Sequence, residues 1–325
     1  MRFLVTGATG KVGNAVARKL AERGDDVVAL VRDAASAREL LPPRIELAVG
    51  DVTDPRSLDR AADGIDGAFN CMGIFEQWMP DPGIFERVNA EGARNVVVAA
   101  RDAGARRVVH TSTFDVFEAE RGGTVREDRI AHGPKGTPYE RSKQRAEELV
   151  LAEADRGIEV VICNPSGVLG PGPWAATGVD GFLRDAVRRR LPALPPGGMT
   201  LVFTEDVAAG HLAAFERGTV GERYILADGF ARPREIAAEA VDAAGRGWVP
   251  PTMPAAVASG LARAGEAIAR AIRRPPLLAV GQLHFLRWEA RADTSKAREE
   301  LGIDFTPWPA AVRRTVEWMR ETGRI

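Results

Sequence analysis

The sequence is short of several residue types, and each shortage removes a class of function. Cysteine occurs twice in 325 residues, at Cys71 and Cys163, each in or at the end of an apolar run. With no Cys-x-x-Cys and no ligand spacing among the four histidines, a disulfide framework is excluded and no metal is expected. Both thiols read as reduced, in a cytoplasmic protein. No apolar run approaches the ~20 residues needed to span a bilayer, and a strand pattern begins within three residues of Met1, leaving no room for a signal peptide. Neither sign of charge dominates: 44 basic residues stand against 45 acidic ones, so neither nucleic acid nor a membrane is an expected partner. Residues 253–272 are alanine-rich and amphipathic. Arg263, Glu266 and Arg270 interrupt them, and the segment is expected to pack on the domain rather than lie on a membrane surface.

Lysine and tyrosine are also scarce among the groups that do chemistry. The lysines are Lys11, Lys19, Lys135, Lys143 and Lys296, and the tyrosines are Tyr139 and Tyr224. A lysine four positions after a given tyrosine should therefore arise by chance on the order of one or two times in a hundred. Tyr139-Glu140-Arg141-Ser142-Lys143 has that spacing, with Pro138 before it as a helix start, so both side chains share one helix face, one turn apart. A free phenol titrates near ~10, but an ammonium about 4 Å away is worth roughly three pK units at an effective dielectric near 20. The spacing thus predicts a phenol brought toward neutrality, where proton transfer works best. Thr113, ending the strand run Arg107-Val108-Val109-His110-Thr111-Ser112-Thr113, would hold the substrate oxygen that receives the proton. His110 lies inside that strand and reads as a core histidine.

At the other end of the chain, Thr6-Gly7-Ala8-Thr9-Gly10-Lys11-Val12-Gly13 follows the apolar run Phe3-Leu4-Val5 and leads into helical spacing. Strand, glycine turn and helix together predict a pyrophosphate seated on backbone N–H groups at a helix N-terminus, contacted by Gly7, Thr9, Gly10, Lys11, Val12 and Gly13. It is not a Walker loop, because Val12 follows Lys11 where Ser or Thr would be required. The second strand, Asp26-Val27-Val28-Ala29-Leu30-Val31, ends at Arg32. A base there suits a ribose 2′-phosphate and argues for NADP(H) over NAD(H), although Asp33 beside it would still reach a ribose hydroxyl. Lys11 would join Arg32 around the phosphate.

Strands alternating with helices predict a parallel, doubly wound sheet. Asp51 and Val52 would end the third strand beside the adenine, Cys71, Met72 and Gly73 the fourth against the middle of the cofactor, and Thr111 the fifth. Residues 74–85 form an aromatic loop with Phe75 and Trp78, and a long helix over 86–103 follows, carrying Asn89. Phe75, Trp78, Phe114, Asp115 and Trp174 are the expected substrate contacts. Trp248, Phe182 and Leu277 are further candidates for an apolar pocket. Arg188-Arg189-Arg190 reads as a solvated helix end and Tyr224 as a core residue.

The glycine turn, the Tyr139/Lys143 pair, Val88-Asn89-Ala90-Glu91-Gly92-Ala93-Arg94-Asn95 and Asn164-Pro165-Ser166-Gly167-Val168-Leu169-Gly170-Pro171-Gly172 resemble, in order, the motifs of the extended short-chain dehydrogenase/reductases. The likeness runs on through Phe203-Thr204-Glu205-Asp206-Val207-Ala208 and Gly221-Glu222-Arg223-Tyr224-Ile225-Leu226 to Asp293-Thr294-Ser295-Lys296-Ala297. Within that family the chain is most similar to the dihydroflavonol-reductase-like and 3β-hydroxysteroid-dehydrogenase-like members, including hopanoid-associated sugar epimerases.

The resemblance implies that Tyr139 is the acid/base, that Lys143 is its electrostatic partner and a ribose ligand, and that Asn89 holds a water relay. It places Thr113 at the family's Ser/Thr position, with Ser112 one register earlier as the alternative. Pro165, Ser166 and Val168 would lie against the nicotinamide. It also implies an α/β, Rossmann-type fold: residues 1–165 with returning segments in 201–227 form the dinucleotide domain, and 166–200 with 228–325 form a smaller, mostly helical substrate lobe. A homodimer would use the helices at 86–103 and 139–154.

Departures refine the reading. Dehydratases of the family carry Asp-Glu after the Thr, where this chain has Phe114-Asp115, so dehydration is disfavoured. The expected activity is NADP(H)-dependent reduction of a ketone or aldehyde on a fairly hydrophobic small molecule. An NAD-dependent nucleotide-sugar epimerase and a catalytically silent cofactor-binding sensor are the rivals.

Overall fold

The computed structural model describes residues 1–172 and 178–325. Seven parallel strands form its centre: β1 (Arg2–Thr6), β2 (Asp26–Val31), β3 (Glu46–Val49), β4 (Gly67–Asn70), β5 (Arg107–Thr111), β6 (Glu159–Pro165) and β7 (Arg223–Leu226). They lie side by side as β7-β6-β5-β4-β1-β2-β3, with Thr6 opposite Leu30 on one side and Asn70 on the other. Strand order reverses between β1 and β4. A crevice opens there at the carboxyl ends of the strands, and ligands of such sheets bind in it.

Alternation along β1 divides the core. Phe3 and Val5 join the apolar cluster on one face, under the helices Lys11–Arg23 and Thr204–Arg217, while Leu4 joins the cluster on the other. On the first face Phe215 stands edge-on to Phe3 with centroids 5.0 Å apart, and 5.6 Å from Phe69. Gly67 makes room for that ring, since a Cβ there would sit 2.3 Å from Phe215.

Two expectations change. Residues 201–207 were to return to the central sheet, but Met199–Phe203 is the middle strand of a separate three-stranded sheet, between Gly167–Leu169 and Gly229–Ala231, and a helix starts at Thr204. Only Arg223–Leu226 comes back, as the edge strand beside β6. The second changes only in part: the helix Ala255–Ile272 packs on the domain as expected, through Ala258, Ala262 and Ala269 against Leu283, but leaves Val257, Leu261, Ile268 and Ile272 exposed. Helices Gly178–Val187, Pro233–Ala244 and Trp308–Glu321 share one further apolar cluster, which forms the body of the smaller lobe. Arg188, Arg189 and Arg190 are exposed just past a helix end and Tyr224 is buried in β7, as expected.

Truncating a buried phenylalanine leaves a cavity that rigid strands cannot close. Phe215→Ala is therefore expected to lower unfolding free energy by about 3–5 kcal/mol in urea titrations, with the m-value unchanged.

Candidate active site

The crevice begins at the glycine turn. Gly7 adopts φ +68°, and a Cβ on it would lie 2.7 Å from the Cys71 carbonyl oxygen. Gly13 is equally constrained, because its Cβ would meet the Gly7 carbonyl oxygen at 2.3 Å. The two glycines let the turn fold against the end of β4. Helix Lys11–Arg23 has Gly10 as its N-cap, with no side chain capping it, so its first N–H groups keep their partial positive charge for a ligand. An uncapped helix end at a sheet's switch point fits a dinucleotide pyrophosphate.

Arg32 is exposed immediately after β2. Asp33 is occupied elsewhere: its carboxylate accepts from Ala35 N–H (3.0 Å) and Ser36 Oγ (2.6 Å), capping the next helix. Asp51 accepts from the Thr53 amide and hydroxyl, which with Arg32 hold its carboxyl below the usual range against the opposing effect of burial. Lys11 does not join Arg32. Its ammonium donates to the Gly170 carbonyl at 2.5 Å and pairs with the buried Asp180, tying the glycine turn to the smaller lobe.

The residues expected to handle the proton gather at the ends of β4 and β5. Helix Pro138–Ala154 starts with a capping box: Thr137 Oγ1 accepts from Glu140 N–H (3.1 Å) and Thr137 N–H donates to Glu140 (2.8 Å). Pro138 occupies the first turn, where no amide donor is needed. That fixed start places Tyr139 and Lys143 one turn apart. Lys143 is buried, and its ammonium donates to the Thr111 carbonyl at 2.7 Å. Burial brings its pKa down to about 8, opposed by the nearby Glu147 carboxylate. The Thr113 hydroxyl meets the Tyr139 phenol, while Ser112 Oγ is buried without a partner among the described residues.

The phenol differs from the expectation. Burial, and after it the Asp115 carboxyl, raise the pKa of Tyr139 above its ordinary value, against the Thr113 hydroxyl, and the Lys143 ammonium is engaged with the Thr111 carbonyl. Asp115 is buried beside Tyr139, and burial and Glu140 push that carboxyl up to about 7, against Lys135 and the Thr113 hydroxyl.

Asn89 is wholly buried within the irregular helical turn Glu86–Glu91, which replaces the start of the single long helix expected there. It receives the Ile74 amide at 2.7 Å, donates to the Ile74 carbonyl at 3.0 Å, and donates to Ser142 Oγ at 3.0 Å. Ser142 in turn donates to the Tyr139 carbonyl at 2.7 Å. Asn89 therefore clamps the loop after β4 to the helix bearing Tyr139. Ser142 escaped the sequence reading, as did Glu147 and Asn164. Asn164 Nδ2 donates to the Thr113 carbonyl (3.0 Å) and to Glu147 (2.8 Å), and Arg223 reaches Glu147 at 2.6 Å. Helical spacing puts Glu147 one turn beyond Lys143, a visible clue to its role.

Cys71 and Met72 are partly buried at the end of β4, and burial raises the Cys71 thiol to about 12, against a hydrogen bond with Thr111 and the charge of Lys143. His110 is fully buried and accepts from Asn70 at 3.1 Å, consistent with a core role. Pro165 closes β6, and Ser166 and Val168 follow it at the same edge. Of the expected substrate contacts, Phe75 is exposed and Trp78 lines a cavity of about 670 Å³ with Phe85 and Pro138. Phe114 is a core residue instead, fully buried and 5.4 Å from the Trp288 ring. Trp174 lies outside the described residues, Leu277 is fully exposed, and Trp248 is 43% exposed.

A carboxyl raised by folding favours the native state while protonated. Asp115 should therefore lower stability as pH rises from its unfolded value near ~4 to its folded value of about 7. Asp115→Asn is expected to flatten that part of the stability profile, measured by chemical unfolding at several pH values.

Comparison with known proteins agrees with this geometry. Residues 3–227 match the profile of the NAD dependent epimerase/dehydratase family. Over the full length of both chains, the sequence is 32% identical to the sterol demethylase protein B of Methylococcus capsulatus. It is also 32% identical to a putative dihydroflavonol 4-reductase of a Synechocystis strain, across 99% of this chain and 96% of that one. Among solved structures, gox2253 superposes with a TM-score of 0.79 at 31% identity, covering 99% of each chain. The chain belongs to the NAD dependent epimerase/dehydratase family, as an NAD(P)-dependent oxidoreductase of the extended short-chain dehydrogenase/reductase type.

Proposed function

We propose that the protein reduces a ketone or aldehyde on a small, fairly hydrophobic molecule, using NADP(H), with Tyr139 as the proton donor. The observation that carries the reading is the grouping of Thr113, Tyr139 and the buried Lys143 ammonium at the carboxyl end of β5, next to β4, against whose end the glycine turn folds. The reductase name of a full-length relative supports it.

The cofactor would lie along Gly7, Thr9, Gly10, Val12 and Gly13, past Asp51, Val52 and the end of β4, to Pro165, Ser166 and Val168. When bound it supplies hydride. The chain supplies the rest. Thr113 and Tyr139 position the carbonyl oxygen, and Tyr139 holds the proton that this oxygen takes up as negative charge develops on it. The Lys143 ammonium stands one turn away and favours the phenolate left behind. Asn89, through Ile74 and Ser142, fixes the loop and the helix turn on either side of that proton. Arg32 would pair with the 2′-phosphate, and the engagement of Asp33 in helix capping removes the carboxylate that would favour a free hydroxyl.

Purified protein with NADPH or NADH and a panel of aldehydes and ketones tests the reading. NADPH-dependent turnover is expected, falling about 10²–10⁴-fold in Tyr139→Phe with NADPH binding retained. Unchanged turnover in that variant overturns the mechanism. Arg32→Glu is expected to shift preference toward NADH by about ten- to a hundred-fold, the worth of a charge-assisted hydrogen bond. A wild-type preference for NADH, or NAD retained through purification together with sugar-nucleotide epimerisation, overturns the assignment.

A further inference from the structure

The helix Ala255–Ile272 and the loop after it present a surface that the reaction does not use. Val257, Leu261, Ala264, Ile268 and Ile272 recur at steps of four and three, so they form one stripe. All five are exposed, Ile268 at 60%, and the loop adds Leu277, fully exposed, and Val280. Large apolar residues normally turn inward; here three alanines make the inner contact and the larger side chains face out.

Charge identifies the occupant. Arg263 and Arg270, two turns apart, form a second exposed row, and Arg273 and Arg274 extend it past the helix end. The helix carries one carboxylate, Glu266, which is turned inward and occupied by the Val280 amide (2.8 Å) and Arg270 (3.2 Å). A second copy docked on this face by two-fold symmetry would bring arginines against arginines. An apolar stripe flanked by Arg263, Arg273 and Arg274, which pair with no carboxylate among the described residues, suits instead the surface of a bilayer containing anionic lipid, with the side chains sunk to the depth of the acyl boundary. Among the described residues no helix is long and apolar enough to cross a membrane, so the contact would be interfacial.

We infer that the helix Ala255–Ile272 and the adjoining loop dock the protein on an anionic lipid surface. Arg270, Arg273 and Val280 also line the cavity of about 670 Å³ that contains Trp78 and Phe85. Docking would set that opening against the bilayer, the source of an apolar substrate. This last step rests on the proposed reduction; the docking does not.

Flotation of the whole protein with vesicles tests the inference without any turnover. Vesicles of phosphatidylcholine alone are compared with vesicles holding about one third phosphatidylglycerol. Binding to the anionic vesicles is expected, weakening as salt is raised. Leu261→Glu/Ile268→Glu should reduce it about ten-fold or more, with thermal unfolding and NADPH binding unchanged. Arg263→Gln/Arg274→Gln should lose the anionic preference, about five-fold per charge. Absence of flotation, equal flotation of the Leu261→Glu/Ile268→Glu protein, or a dimer that this variant splits without any vesicle binding would overturn the inference.

Discussion

The ammonium of Lys143 is the constraint around which the site is arranged. A buried cation is costly unless its donors are used and an opposite charge lies near. The chain meets both conditions with a single strand end and a single helix turn. The Thr111 carbonyl at the end of β5 takes one N–H, and Glu147 supplies the charge one turn along. Glu147 is itself buried, so it needs Arg223 and Asn164, and Asn164 spends its other N–H on the Thr113 carbonyl. The residue that meets the phenol is thereby fixed by the same network that neutralises the lysine. The returning strand β7 adds Arg223 to this network, while its ladder with β6 and its buried Tyr224, Ile225 and Leu226 hold it in the sheet.

Much of this was legible in the sequence, for identifiable reasons. The glycine turn, the alternation of strands with helices, and the tyrosine–lysine step each depend on local spacing, which the chain carries directly. The part expected of Thr113 could be read from the end of its strand run, whereas that of Asn89 came only from a family likeness. What stayed hidden depends on pairs far apart in the chain. Asn164 meets Thr113 across 51 residues, Arg223 meets Glu147 across 76, and Lys11 meets Gly170 across 159. The aromatic residues were hard to place for a related reason. Phe75 and Phe114 look alike as apolar groups in irregular segments, but one lies on an open loop and the other beneath Trp288, a partner that comes from the far end of the chain.

Lys11 illustrates how a local rule gives way to a tertiary one. A lysine in a phosphate-binding turn invites assignment to the phosphate, and Arg32 lies on the same side of the sequence argument. Asp180 decides otherwise, because its carboxylate is buried and a buried charge without a partner is worse placed than a phosphate facing water. The bond leaves Arg32 as the exposed cation of the second strand end. It also ties the glycine turn to the helix Gly178–Val187 of the smaller lobe.

The raised phenol carries the most consequence for direction. In a site that abstracts a proton, the tyrosine must be easily ionised; in a site that delivers one, it must keep its proton until negative charge appears on the acceptor. Burial and Asp115 both act toward keeping it. Asp115 is raised by burial and Glu140, so near neutral pH a fraction of it is uncharged, and its opposition to ionisation of Tyr139 relaxes as pH falls. On the proposed reduction, Lys143 would act in the opposite sense once the phenolate forms, so that Tyr139 would keep its proton before reaction and give it up during reaction.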